Sequence, residues 1–345
     1  MNSSPKNPRI SVLMSVYNGE EYLGEAIQSI LDQTFKDFEF LIISEFGTNT
    51  KSLEIIESFK DKRIKHIKNN SRLGLPASLN VGIDVAKGDY IARMDTDDVS
   101  LPERFKEQVS YMDSHPDVGI SGTSCKTIGF GKSFETSPLN DYEDIKANFL
   151  FYTSLAHPTV IIRKNLIDKY KLRYNPLLLH GEDYDIWVRC SEFFPITNIN
   201  KVLLLYRVHN KNKGKVFNKE TANTGHGVRM RLLNKLRLQP TEQEFISHNS
   251  TKPNEKQDLL SFIIGSEKWF LKIIEANKRT KIYKSKSLEK VIYQRWYLVC
   301  ALNSTGGLVV WKKFLTSPLF KLGRNKIHVD CLKILIKCTI SSLKL

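Results

Sequence analysis

Asp89-Tyr90-Ile91-Ala92-Arg93-Met94-Asp95-Thr96-Asp97-Asp98 joins a short apolar run to three carboxylates in four positions. As a buried strand, the run would deliver the acids into the crevice at its carboxyl end, where open α/β sheets bind ligands. Carboxylates this close raise one another's pKa unless a cation sits among them. A hard divalent ion with oxygen ligands removes that conflict, and Mg²⁺ typically bridges one or two carboxylates to substrate phosphates. The D-x-D cluster therefore points to a metal holding a diphosphate. The plainer alternative is a solvated acidic turn capping the helix that begins near Pro102, and the rest of the chain has to decide.

Upstream, Ile10–Val16 reads as a first buried strand ending in the loop Tyr17-Asn18-Gly19, and a helix follows to about Asp32. Phe38–Ile43 is a second strand, stopping at Ser44-Glu45-Phe46-Gly47-Thr48-Asn49. A helix at Ser52–Lys60, a strand at Ile64–Lys68 and a helix at Leu75–Ala86 lead into the acid-bearing run. Strand and helix alternate four times, the pattern of a parallel α/β sheet. No G-x-G-x-x-G follows the first strand and no P-loop occurs, which disfavours a nicotinamide dehydrogenase or P-loop NTPase. A nucleotide lying across the strand ends would meet Tyr17 as a stacking ring and Glu45 as an acceptor for a pyrimidine N–H. The ordinary alternatives are a packing tyrosine and a surface acid.

Downstream come a helix at Pro102–Ser114, a strand at Asp117–Ser121 and a turn-rich stretch, Gly129–Asn140. Ser154–Ile162 reads as a strand entered through His157. Glu182 and Asp183 open a helix whose Ile186, Trp187 and Cys190 face inward. Acids there serve as caps, and amide dipoles would also keep such an acid ionised, as a general base requires. Val202–His209 is a strand with Arg207, suited to phosphate oxygens, and His209, suited to a metal or a phosphate, at its end.

At 345 residues the chain has room for one large domain with an appendage, and 41% hydrophobic content supports a real core. Five scattered cysteines without a C-x-x-C pair argue for reduced thiols and against a zinc site or disulfide framework. No secretory signal is visible, and no stretch approaches the ~18–20 uncharged apolar residues of a membrane span. The net charge of +15 divides unevenly, +20 over residues 201–345 and −5 over residues 1–200. A basic region of this kind binds nucleic acid, anionic lipid or a phosphorylated substrate, or is simply a solvated surface.

Six segments together resemble the family 2 glycosyltransferases of the nucleotide-diphospho-sugar transferase (GT-A) fold. They are Val12–Gly19, Arg72–Asn80, Ala92–Asp98, His157-Pro158-Thr159, Glu182–Trp187 and Tyr206–His209, spread over about residues 9–210. The resemblance implies an α/β catalytic domain over 1–210, with a mostly parallel sheet flanked by helices. It assigns Asp95 to the donor ribose, Asp97 to Mg²⁺ or Mn²⁺, Asp183 to the base of inverting transfer, and His209 to the metal and diphosphate. The family commonly carries D-D-G-S-T-D where this chain has Ser44–Asn49. Glu45 keeps an acid there, one methylene longer, so the preference for UDP over other nucleotides is open.

Beyond Asn210 the alternation stops and residues 211–345 read as mainly helical, after an exposed connector at Lys211–Lys215. Lys326, Lys333, Lys337 and Lys344 fall on one face of the last segment, with Cys331, Ile334, Leu335 and Cys338 on another. Such a helix can lie in a membrane interface with its lysines toward anionic headgroups, or dock on the catalytic domain. Gln294-Arg295-Trp296 has the wrong spacing for the signature of processive synthases and reads as packing. The expectation is a metal-dependent, inverting, non-processive glycosyltransferase. It would act at the cytoplasmic face of a bacterial-type membrane, on a saccharide or lipid-linked saccharide of capsule, exopolysaccharide or O-antigen. The rival readings are a nucleic-acid-binding protein using its basic tail, which has no recognisable nucleic-acid module, and a sugar nucleotidyltransferase.

Overall fold

The computed structural model of the chain describes residues 7–178, 180–210, 219–255 and 257–342. The expected connector Lys211–Lys215, the Lys326 side chain and Lys344 lie outside the described residues and side chains. The fold has two compact units, Met1–Ile145 with Thr153–Val228, and Lys146–Tyr152 with Arg229–Leu345.

The first unit begins with β1 (Ile10–Val16), α1 (Leu23–Leu31), β2 (Phe38–Ser44), α2 (Thr50–Ser58), β3 (Ile64–Lys68), α3 (Leu75–Val85) and β4 (Tyr90–Arg93). It continues through β5 (Val99–Ser100), α4 (Arg104–Ser114), β6 (Ile120–Gly129), α5 (Tyr142–Asn148, which ends in the second unit), β7 (Ile161–Arg163), α6 (Lys164–Lys169), α7 (Glu182–Cys190) and β8 (Ile196–Val208). β1 and β2 are near-continuous apolar runs because a strand with helices on both faces is buried on both. Val12, Met14, Phe40 and Ile42 are fully buried with Ile27 and Ile30 of α1, each such side chain contributing ~1.5–3 kcal/mol of transfer free energy.

The eight strands form one mixed sheet in the order β3-β2-β1-β4-β7-β6-β8-β5. β1 to β4 are mutually parallel. β7 runs antiparallel to both β4 and β6, and β8 is parallel to β6. The two reversals cancel, so β8 runs in the same sense as β4. The carboxyl ends of β1, β2, β4 and β8 consequently share one edge of the sheet, and every loop with a candidate residue from those strands emerges there.

The expected strand Ser154–Ile162 is mostly something else: His157–Thr159 is a 3₁₀ turn and only Ile161–Arg163 pairs. Pro158 has no N–H to give a ladder. Thr159 turns its hydroxyl back to the Ala156 carbonyl (2.7 Å) instead. The strand expected at Asp117–Ser121 starts at Ile120 and runs on to Gly129, paired with a β8 that begins at Ile196.

The second unit is helical: α8 (Lys219–Lys235, which begins in the first unit), α9 (Glu242–Asn249), α10 (Leu259–Thr280), α11 (Ser285–Leu302), α12 (Leu308–Thr316) and α13 (Ile327–Ser342). Phe262, Trp269, Phe270, Trp296, Val299, Phe314 and Ile334 are fully buried. The apolar Phe149-Leu150-Phe151 belongs to this unit, with Phe151 edge-on to Phe270. Trp296 is buried and Arg295 donates to the His248 carbonyl (3.0 Å), so the Gln294–Trp296 stretch is packing. All five cysteines are free thiols. Among the described residues, no helix is long and apolar enough to cross a membrane.

Candidate active site

The chain leaves β4 at Arg93, and the next five residues turn three acids toward one another. Ligand oxygens of Asp95, Asp97 and Asp98 all lie within 4.8 Å of one another. Each acid has a different neighbour. Asp95 is ion-paired with Arg93, Asp97 Oδ2 meets His209 Nε2 at 2.8 Å, and Asp98 Oδ1 accepts the Arg207 N–H at 2.8 Å. The buried Asp98 Oδ2 has no hydrogen-bond partner among the described residues. Burial first, then the charges of Asp95 and Asp97, push the Asp98 carboxyl well above its ordinary range. Burial and Asp95 also raise Asp97, against the pull of His209.

An all-carboxylate oxygen set with one buried, unsatisfied oxygen is the donor chemistry of a hard divalent ion. The residues therefore fit Mg²⁺ or Mn²⁺, with Asp97, Asp95, Asp98 and the adjoining His209 as the groups that would hold it.

β8 brings the cation. Arg207 Nε donates to the Asp97 carbonyl (2.8 Å), and its Nη2 pairs with Glu25 of α1 (2.5 Å). Its guanidinium lies 4.4 Å from the centre of the Tyr22 ring, and the same ring sits 5.4 Å from His209. Tyr22 and Glu25 thus orient the two basic groups beside the acids. Nothing in the sequence spacing marks either of them.

A second missed group lies beneath the acids. Arg93 is buried, and its positive charge is felt at Asp95, Asp98 and Asp183. It also depresses His157, which burial already holds well below the usual imidazole range. His157 Nε2 lies 2.8 Å from the Tyr174 hydroxyl. Behind Arg93, the fully buried Arg104 donates to the Arg93 carbonyl (2.8 Å), and burial lowers its pKa to about 9. An arginine inside an otherwise apolar strand is the sequence signal that could have found Arg93.

Asp183 stands in the first turn of α7, just after Gly181, whose φ of 70° suits a residue without a Cβ. One carboxylate oxygen accepts the Tyr184 N–H at 2.7 Å. Burial raises its pKa above the ordinary aspartate value, with the Asp95 charge adding and the Tyr184 N–H and Arg93 opposing. That is the balance of a carboxylate moved toward neutrality yet kept ionisable.

Tyr17 and Glu45 occupy the loops after β1 and β2. The Tyr17 ring is 47% exposed with the Arg72 guanidinium 4.9 Å from its centre, an open stacking surface. A Cβ on neighbouring Gly19 would sit 3.4 Å from Thr96 Oγ1, which places the loop against the acid turn. Glu45 is placed differently from a free acceptor. It is buried, and its carboxylate accepts from the N–H groups of Phe46 (3.1 Å), Leu73 (2.9 Å) and Gly74 (2.5 Å), from Asn69 (3.3 Å) and from Ser78 (3.2 Å). Burial alone would raise its pKa, but those donors outweigh it and hold the group below the ordinary glutamate value. Glu45 here braces the loop leading into α3, where Gly74 takes a φ of 81°.

The acids, Arg207 and His209 thus form one cluster, Asp183 lies within the electrostatic reach of Arg93 and Asp95, and Tyr17 stands in the loop whose Gly19 approaches Thr96 of the acid turn. The chain is similar to known proteins in sequence and in fold. The sequence profile of Glycosyl transferase family 2 matches residues 11–170. The uncharacterized glycosyltransferase MJ1057 of Methanocaldococcus jannaschii is 36% identical over 212 residues, covering 59% of this chain and 72% of that protein. The O-antigen biosynthesis glycosyltransferase WbnJ of Escherichia coli is 34% identical over 216 residues, covering 60% of this chain and 82% of that protein. Among solved structures, S. aureus TarS 1-349 in complex with UDP-GlcNAc aligns with a TM-score of 0.55 at 15% identity, over 97% of this chain and 91% of that one, a likeness of fold. The fold is that of the nucleotide-diphospho-sugar transferases. The chain belongs to glycosyl transferase family 2, and it is a glycosyltransferase.

Proposed function

We propose that the protein transfers a sugar, with inversion and without processivity, from a nucleotide-diphosphate donor to a saccharide acceptor carried on lipid, in bacterial surface-polysaccharide biosynthesis. The observation that carries this reading is the acid cluster sharing a sheet edge with Arg207 and His209, while Asp183, in the first turn of α7, feels the charges of both Arg93 and Asp95. A bound divalent ion would supply positive charge where the diphosphate departs. The chain's own residues account for the rest. Tyr17 offers a face for the base, and Asp95 offers an acceptor for the ribose. Arg207 holds diphosphate oxygens and stabilises charge that grows on the leaving group. Asp183 takes the proton of the acceptor hydroxyl as that oxygen attacks the anomeric carbon opposite the leaving diphosphate.

UDP is the favoured nucleotide, supported by the family resemblance and by the UDP-GlcNAc held by a protein of like fold. Because Glu45 is fully engaged by the loop before α3, base recognition would fall to Tyr17, Arg72 and loop amides. The acceptor class is supported by the O-antigen role in the name of one relative. Catalysis is assigned to residues 1–210, and attachment to the inner face of the cell membrane to the basic residues 211–345.

The test is a screen of nucleotide sugars with Mn²⁺ by thermal shift, followed by product analysis with the stabilising donor. Release of free nucleoside diphosphate and transfer to a saccharide are expected. Pyrophosphate as the product would make the protein a nucleotidyltransferase instead.

A further inference from the structure

The last helix departs from the usual arrangement of a surface helix. Ile334 and Cys338 of α13 are fully buried, as the sequence pattern expects. The opposite face is apolar as well. Val329, Leu332, Ile336 and Ile340 are 55%, 57%, 50% and 50% exposed. At 3.6 residues per turn their spacing gathers them into one stripe about 80° wide, directed away from the buried face. Exposed Lys333 and Lys337 lie along one border of that stripe. In α12, Leu308, Val309 and Lys312 are exposed too. The sole acid of residues 301–345 is Asp330, whose carboxylate accepts the Tyr293 hydroxyl at 3.0 Å.

We propose that α13 lies in the plane of an anionic lipid surface, with Val329, Leu332, Ile336 and Ile340 inserted among the acyl chains and Lys333 and Lys337 at the headgroups. The inference rests on the membrane reading given above and specifies it: attachment is by insertion, and charge alone does not account for it. The 16 residues of the helix rise about 24 Å, short of the ~30 Å hydrocarbon core, and lysines stand in its middle, so it lies flat and does not span. Exposed apolar side chains bordered by cations match an interface of acyl chain and anionic headgroup. A second copy of the chain matches poorly, because self-pairing would bring the same lysines together with no acid to answer them.

The test is co-sedimentation of the full-length protein with phosphatidylcholine vesicles, with and without phosphatidylglycerol, across a salt series. The wild type should bind the anionic vesicles, and part of the binding should persist at high salt, where charge is screened. Leu332→Asn with Ile336→Asn should lower partitioning about tenfold or more, the scale of ~1.4 kcal/mol or above. Lys333→Gln with Lys337→Gln should reduce low-salt binding and leave the salt-resistant part. Ile340→Asn, alone, provides a second, milder variant if the double substitution perturbs folding. Nucleotide-sugar thermal shift and transfer to a soluble acceptor should stay at the wild-type level in all of them, so a failure of the transferase reading shows separately. Wild-type binding by the double asparagine variant would overturn insertion while leaving electrostatic attachment. Absence of vesicle binding by the wild type would overturn it outright. So would a dimer by light scattering that the asparagine variant dissolves, since the stripe would then be covered by a second copy.

Discussion

At the scale of the residue, the site depends on carboxylates held in different electrostatic states. Asp183 is raised by burial and restrained by Arg93 and the Tyr184 N–H. A base works deprotonated, so kcat/KM should rise with pH through an acid limb lying above the ordinary aspartate range. Asp183→Asn should cost ~10²–10⁴ in turnover with calorimetric donor affinity little changed. Turnover near wild type would move the base to Glu182 or Asp185. Asp97→Asn should remove the divalent-dependent part of UDP affinity and leave the fold intact, since Asp97 faces His209 and not the core. Glu45 behaves oppositely. Its folded pKa is depressed, so its contribution is present above its unfolded pKa and is lost as pH falls through the lower folded value. Glu45→Gln should cost about 1–3 kcal/mol in urea unfolding at neutral pH, because a carboxylate meeting five donors becomes an amide meeting some of them badly. The acids were legible in the sequence because D-x-D and E-D are local. Arg93 left only the faint signal of a charge inside an apolar strand, and Tyr22 left none, because its importance comes from what the fold places beside it.

At the scale of the element, the first four strands and three helices were readable from apolar runs and punctuation alone. Reading failed where one residue changed the backbone's options. Pro158 breaks the Ser154–Ile162 run into a turn and a three-residue strand. α9 carries a further consequence. His248 is fully buried, its Nε2 against the Leu150 carbonyl (2.7 Å) and its Nδ1 receiving the Trp269 N–H (3.1 Å). That pattern fixes the neutral tautomer with the proton on Nε2. Burial lowers its pKa from 6.5 to about 3. Above pH 6.5 both folded and unfolded states are neutral and nothing is lost. As pH falls from 6.5 toward 3, the unfolded state takes a proton the folded state refuses, and stability drops by roughly 1.4 kcal/mol per pH unit. A plot of unfolding free energy against pH should show that slope, and His248→Gln should flatten it. An unchanged slope would mean the ring is not held neutral.

At the scale of the whole molecule, the sequence indicated an α/β catalytic region followed by basic helices. It did not reveal that two antiparallel reversals return β8 to the direction of β4, although the entire cluster depends on that. Without it Arg207 and His209 would end at the wrong edge. Pairing order is a tertiary outcome with no local signature: the residue chemistry suggested a phosphate role for Arg207 and a metal or phosphate role for His209, and the resemblance tied only His209 to the metal and diphosphate. The outward apolar stripe of α13 was likewise hidden, since lysines and inward residues both fit a helix before burial decided which apolar positions were covered. Mn²⁺ with a true donor should raise the thermal midpoint of the full chain, and EDTA should cancel the shift. The central claim is inverting transfer by Asp183 opposite a diphosphate held at the acid cluster. Its most direct test is the anomeric configuration, by NMR, of the product made from an α-linked UDP-sugar. Inverting transfer gives a β-linked product with one UDP released per bond formed; an α-linked product would rule inversion out.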